Sequence, residues 1–512
     1  MNWKKRIIVL FSILFAMVLF VACGDSNDNA NKNNSNSEGN ENGNTSSNDD
    51  GEPTTITMMS NLHTPEVPND RILEILEEKT NVELEIDWVP DNNYNEKLNT
   101  AFATGTLPQV MSVGFEQMDQ FREAIRDDQF WEIGPYIEEF ENLSKLKEPV
   151  LENLKVDGKI YGLYQGRPLS RQGYIYRKDW ADNLGIEAPT TTEEFYEMAR
   201  AFTEDDPNEN GKDDTIGLTD RSDLIYGGFK TVSSWFGTPN YWGEKDGELL
   251  PEFMFPEYME TMDFFKDLRD NGYINQDFPV TSKDDQQAMF KNGTAGIYVG
   301  SIGDVVSIYK DAMDLDPDAE YDVQNYVEGP DGEYGIWAIP GYSSQLLFSK
   351  SAIETEEELK DILAFYDHLM TPEFSNLIYW GIEDEHYTVT DDDKAEPTDD
   401  SDKNDREVKP YMSLEIGEPE TNGRYEGFHD YDAKEKAEEL IKDNEDYLIH
   451  DPTVPLESNT DIEQGERLQE IINDATYNYI LGEIDKEGFE AEVEKWRQQG
   501  GDDIIEEYNA SE

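Results

Sequence analysis

A single cysteine, Cys23, stands in 512 residues, so no disulfide can form within the chain. Basic side chains are also scarce, 41 against 114 acidic ones, and the formal net charge is −73. No basic patch occurs, which excludes nucleic acid as a partner, because phosphate neutralisation needs clustered Lys and Arg. The five histidines, His63, His368, His386, His429 and His450, are scattered without metal-ligand spacing, and His386 reads as structural. Missing too are the G-x-S-x-G elbow, the H-E-x-x-H helix and the P-loop, the usual sequence marks of esterase, zinc protease and nucleotide chemistry. Among so many acids the paired carboxylates of a glycoside hydrolase would not stand out, so a secreted carbohydrate-active enzyme remains the alternative to a binding protein. A transporter-independent surface binding protein would be expected to carry repeats or a wall-anchoring motif, and neither is present.

Aromatic residues make up 12% of the chain, more than a disordered acidic polymer carries, so the sequence describes a folded protein with an acidic surface. The acids are spread along the length, as at Glu77 and Glu78, Asp127 and Asp128, and Asp391 to Asp393. Diffuse charge fits a solvated surface suited to saline or alkaline surroundings better than a cation store or a dock for a basic partner.

At the N-terminus, Lys4, Lys5 and Arg6 precede an apolar stretch from Ile7 to Phe20. That stretch is short of the roughly 20 residues a spanning helix needs and suits an export signal, so residues 1–22 are expected to be cleaved. Residues 23–52 contain no aromatic and no large aliphatic side chain and read as a flexible tether reaching a few tens of ångströms. Cys23, followed by Gly24 and Asp25, resembles the bacterial lipobox cysteine, with Phe20 where that motif prefers Leu. The resemblance implies acylation of Cys23 and a protein anchored by lipid to the outer face of the cell membrane.

In the folded region, Thr54 to Met59 reads as a strand, Arg71 to Lys79 as a helix with Ile72, Leu73, Ile75 and Leu76 at helical spacing, and Val82 to Val89 as a second strand. Tyr94 to Thr104 follows as a helix ended by Gly105, then Gln109 to Val113 as a third strand. Strand, helix and strand in succession imply parallel crossovers, hence an α/β layer with helices outside.

Later segments carry a family resemblance. Ala103-Thr-Gly-Thr-Leu-Pro108, Asp157-Gly-Lys-Ile-Tyr-Gly-Leu-Tyr164 and Tyr176-Arg-Lys-Asp-Trp180, with Leu184-Gly185 and Pro189-Thr190, recur in one order with Gly272-Tyr-Ile-Asn275, Phe290 to Gly296 and the Trp380 to Tyr387 segment. Together they resemble the extracellular sugar-binding lipoproteins of ABC importers, in particular their oligosaccharide-binding branch. The resemblance implies a two-lobed α/β fold of the periplasmic-binding-protein type II class with the ligand in the cleft. Lobe 1 would take residues 53–168 and 343–395, and lobe 2 residues 169–342 and 396–512. Crossings are expected near Gly166 to Gln172, Gly341 to Ser349 and Asp391 to Lys403, and helices over Ala433 to Leu448, Asp461 to Ile480 and Lys486 to Tyr508. Partners would be a carbohydrate and the permease subunits, with the binding protein itself a monomer.

One loop has a cation pattern. Asp206, Asn208, Asn210 and Asp214 place oxygens at positions 1, 3, 5 and 9, Gly211 supplies the turn, and Lys212 offers its carbonyl at position 7. Gly217 stands where an EF-hand has its bidentate Glu, and Thr215 where the resembling family has an acid. Structural Ca2+ is the expectation, with an Asx-rich turn holding no ion as the alternative.

Sugar sites combine aromatic platforms with polar groups. The candidates are Trp235, Trp242 and Tyr298 in lobe 2, Trp88 and Trp380 in lobe 1, Trp337 before the return crossing, and Arg167 at the first crossing. Gly227, Gly228, Gly237 and Pro239 set Trp235 and Trp242 among loops, where binding groups gather. Should the sugar carry a carboxylate, a local cation such as Arg167 would have to hold it against the charge of the body.

Overall fold

The β-branched run at Thr54 and the alternation from Val82 form the paired strands that the sequence pattern predicts. In the computed structural model, which describes residues 53–64, 66–398 and 400–511, Thr54–Leu62 runs parallel to Val82–Pro90 in register from Thr54 opposite Val82 to Leu62 opposite Pro90. The leader, Cys23 and the tether lie outside the described residues. The first sheet has five strands in the order 82–90, 54–62, 110–114, 342–348, 162–166. Tyr342–Phe348 is antiparallel to both neighbours, and the other strands are parallel to one another. Helices Arg71–Thr80 and Asp91–Thr104 cover it, burying Ile72 and Leu76 from the one and Tyr94, Leu98 and Ala101 from the other. Each ends on a left-handed cap, Asn81 and Gly105.

The second sheet has four strands in the order 321–324, 172–177, 295–301, 216–219. A large apolar cluster backs it, with Trp180, Phe195, Phe202 and Trp235 meeting Leu468 and Ile472 of the helix Asn459–Ile480. The C-terminal run expected as one helix over Lys486 to Tyr508 is two, Lys486–Trp496 and Asp502–Ser511. The break falls at Gly500, whose φ of +137° lies outside the reach of other residues.

Val408, Tyr411, Leu414 and Ile416 share a cluster with Ile56, Leu76 and Leu363 of the first sheet's side. Residues 408–416 therefore pack on the first sheet, whereas the family resemblance sets everything beyond 395 with the second lobe. Their apolar spacing belongs to short turns, which carry no mark of the side they join. The chain changes side near residue 430. Phe428 still bonds through its amide to the Ala395 carbonyl, while the Tyr431 ring stacks on Tyr309 at 4.0 Å.

The other two passages run side by side. The Arg167 amide donates to Gly341 O at 2.9 Å and the Ile339 amide to Leu169 O at 2.8 Å. Trp337 in turn pairs in parallel with Ile449, and the Asn240 amide group donates to Ala338 O at 2.7 Å. Gly341 has φ +84°, and a Cβ there would sit 2.7 Å from both Leu169 Cδ2 and Val150 Cγ2, so only glycine fits.

Candidate functional site between the two sheets

In open α/β sheets ligands lie outside the carboxyl ends of the strands. On the first sheet those ends deliver Phe115 after strand 110–114 and Arg167 after strand 162–166. On the second, Gln172 pairs with Ser301, and the parallel strand 216–219 ends at the same edge. Arg171, the loop 220–228 and Ser301 therefore sit at that edge, facing the first sheet across the 166–172 passage.

Two exposed aromatic rings mark this edge. Phe115 is 44% exposed and stands edge-on to Tyr342 with centroids 5.6 Å apart; Tyr226 is 57% exposed and leans on Trp337 at 5.9 Å. The Tyr226 loop is braced from beneath. Buried Arg221 donates to Gln286 Oε1 at 3.1 Å and to the Tyr226 carbonyl, and pairs with Asp223 at 3.3 Å. Asp223 Oδ1 accepts the amides of Ile225 and Tyr226 at 3.1 and 2.8 Å. Asp220 accepts the amides of Gly228 and Arg221, both at 2.8 Å, and its burial pushes its carboxyl up to about 7. An aromatic on so firm a loop offers a ligand a face at little ordering cost.

Arg167 and Arg171 project from the passage itself, and both are exposed. Desolvation, and after it the neighbouring Arg171 charge, lowers the pKa of Arg167.

The expected site residues divide. Trp235 and Trp337 are each 1% exposed and Tyr298 is 2% exposed, so none offers a face to a ligand. Trp235 is packed against Phe195 at 5.2 Å, and Trp337 is pinned by its Nε1 donating to Thr231 Oγ1 at 3.0 Å. Their size and apolar character serve the core, with Trp337 acting only as the support of Tyr226. Trp88 is half-buried, edge-on to Tyr411 at 5.7 Å, and Trp380 is held by its Nε1 on the Tyr425 carbonyl at 2.9 Å. Trp242 stands edge-on to Tyr508 at 4.9 Å and lines a cavity of about 650 Å³ with Tyr334, Tyr447, Ile449 and His450. Arg167 is exposed on the 166–172 passage. Sequence reading missed Phe115, Arg171 and Tyr226. Position alone marks the first two, one just past a strand and one at the far end of the passage. His386 is structural, its Nδ1 accepting the Ile382 amide at 3.0 Å and its Nε2 facing Glu407.

In the Asp206 loop the donor side chains converge. Asp206 accepts the amides of Asn210 and Gly211 at 3.1 and 2.9 Å, Asn210 Oδ1 accepts that of Lys212 at 2.9 Å, and Asn210 Nδ2 reaches Asp214 at 3.0 Å. Asp206 and Gly211 are left-handed, as the tight turn requires. Among the described residues no group of three or more His, Cys, Asp and Glu side chains gathers. The loop's set is two carboxylates, two amides and a carbonyl, which suits a hard cation that takes oxygen ligands.

The two-lobed α/β architecture with crossing strands is the periplasmic-binding-protein-like fold. Residues 69–373 match the family described as bacterial extracellular solute-binding protein, and the chain belongs to that family. It is 43% identical over 464 residues to the polygalacturonan/rhamnogalacturonan-binding protein YtcQ of Bacillus subtilis, spanning 88% of this chain and 90% of that one. Lipoprotein LipO of the same organism is 33% identical over 478 residues, 91% of this chain and 93% of LipO. The solved HMO binding, ABC-transporter-associated solute-binding protein of Bifidobacterium longum infantis superposes with a TM-score of 0.67 at 15% identity, covering 90% of this chain and 98% of that one; the likeness is one of fold.

Proposed function

We propose that this chain is the capture subunit of an ABC importer that takes up an oligosaccharide, of the pectic kind named for its relative YtcQ. The observation that carries the reading is the pair of exposed rings, Phe115 from one lobe and Tyr226 from the other, on either side of the 166–172 passage. Sugar rings stack on such faces, and a ligand touching both lobes favours the closed form through contacts it cannot make in the open one. Permease subunits would then recognise the closed form. Capture needs no covalent chemistry, and YtcQ is by name a binding protein, so the chain is assigned no catalysis. It acts as a monomer on the outer face of the membrane, anchored through acylated Cys23. LipO, a lipoprotein by name, supports that anchor; among the described residues no helix is long and apolar enough to cross a membrane. Ca2+ in the loop of Asp206, Asn208, Asn210, Lys212 and Asp214 would be structural, fixing the turn that joins the helix Thr192–Glu204 to strand 216–219.

Small-angle scattering and calorimetry with galacturonate oligomers test the reading. Binding heat together with a smaller radius of gyration is expected. Neither heat nor compaction with any pectic, plant or bacterial oligosaccharide would overturn it.

A further inference from the structure

Among the described residues the side chains of Arg167 and Arg171 are unusual in having no bonding partner. Every other arginine among the described residues bonds to a carboxylate, an amide oxygen or a carbonyl, or has an interaction of its own. In a chain with 114 acids, two guanidiniums without a carboxylate mean that acids are kept away from this spot. The influences on Arg167 agree: the charged and polar groups felt there are Arg171 and the Tyr226 phenol, with no carboxylate among them. Their backbones are fixed at both ends of the passage, Arg167 N on Gly341 O and Arg171 O accepting Ile302 N, both at 2.9 Å.

We propose that Arg167 and Arg171 are the carboxylate-binding pair of the cleft, making it selective for oligosaccharides that carry uronic acids over neutral ones. The inference rests on the oligosaccharide reading above. Two like charges held close are relieved when an anion enters between them, and guanidinium forks match carboxylates in geometry. Tyr226, beside them, would take the face of the same sugar ring. This placement also resolves the difficulty that a body of net charge −73 repels an anion. Bulk salt screens the distant acids, whereas a carboxylate held against the pair and covered by the ligand is screened much less.

Calorimetry of the full folded protein with trigalacturonate, with its fully methyl-esterified counterpart and with a neutral galacto-oligosaccharide tests this, alongside Arg167→Gln, Arg171→Gln and the double variant. Each single change should weaken trigalacturonate binding by about tenfold to a hundredfold, as loss of a charged hydrogen bond does. Esterified and neutral sugars should bind weakly to every form. Neither side chain is bonded in the fold, so unfolding temperatures should not move and the variants remain readable. Equal binding of acidic and neutral sugars, or variants with unchanged trigalacturonate affinity, would overturn the pair while leaving the capture reading intact. No binding of any of the three sugars, nor of a wider oligosaccharide panel, overturns both.

Discussion

The backbone amide of Arg167 donates to the carbonyl of Gly341 at 2.9 Å, so the outgoing and returning passages between the lobes are joined to each other. Ile339 and Leu169 repeat the bond two residues on, and Trp337 with Ile449 adds a third strand alongside. The three stretches lie side by side as one hydrogen-bonded ribbon, with Arg167 at its edge.

Gly341→Ala should be costly. The added methyl meets Leu169 and Val150 at 2.7 Å in a backbone already at φ +84°, where an L side chain is strained. A loss of about 2 kcal/mol or more is expected in urea unfolding, in line with overpacking plus backbone strain. Unchanged stability would mean the ribbon yields easily.

Lys230→Met should destabilise more strongly. The Lys230 side chain is 4% exposed, its partner Glu252 is 15% exposed, and Lys230 Nζ lies 4.0 Å from the Tyr241 ring centroid. Removing the cation strands a buried carboxylate at a cost of about 3–5 kcal/mol. Adding Glu252→Gln should return part of that loss, a coupling that a double-mutant cycle in thermal or urea melts reads directly.

Stability should fall as pH rises from about 4 to 7. Burial holds Asp220 up at about 7 and Asp451 at about 6. In the unfolded chain both carboxyls return to roughly 4. Because the folded state binds these protons more tightly, their contribution is complete below the unfolded value and is lost as pH climbs through the folded one. Asp220→Asn, which keeps an oxygen for the Gly228 and Arg221 amides, should flatten the slope of melting temperature against pH. An unaltered slope would remove Asp220 from the account.

Calcium should raise the melting temperature of an EDTA-treated sample, by about 2.7 kcal/mol of stability when the ion is at a hundred times its dissociation constant. Asp206→Ala should abolish the response. If neither calcium heat nor a thermal shift appears, the loop is an Asx turn held by its own amides.

The opening of the fold was legible because its signals are local: a β-branched run at Thr54, helical spacing at Ile72 and Leu76, and Gly105 at a left-handed cap. The break at Gly500 was also marked, since Gly500 and Gly501 form a Gly-Gly pair of the kind that interrupts helices, yet the run from Lys486 to Tyr508 reads as helical on its apolar spacing alone. Residues 408–416 read poorly for a different reason: their apolar side chains choose a side only through tertiary contact with Ile56 and Leu363. At the site, large aromatics misled. Trp235 and Trp337 look like platforms in a sequence, yet bulk is what a core asks for, and exposure belongs to smaller neighbours such as Tyr226 that the core holds in place. The position of Arg167 on the 166–172 passage was legible because the family motifs located that passage.

The strand Tyr342–Phe348 sits inside the first sheet, between 110–114 and 162–166. A chain emerging N-terminus first cannot close that sheet until residue 348 is free, so its earlier strands wait for a partner that arrives late. Such long-range pairing slows folding. Until that strand is made, the edges of 110–114 and 162–166 that it joins have no neighbour there, so the sheet is completed from its middle, by a segment written nearly two hundred residues after the strand it completes.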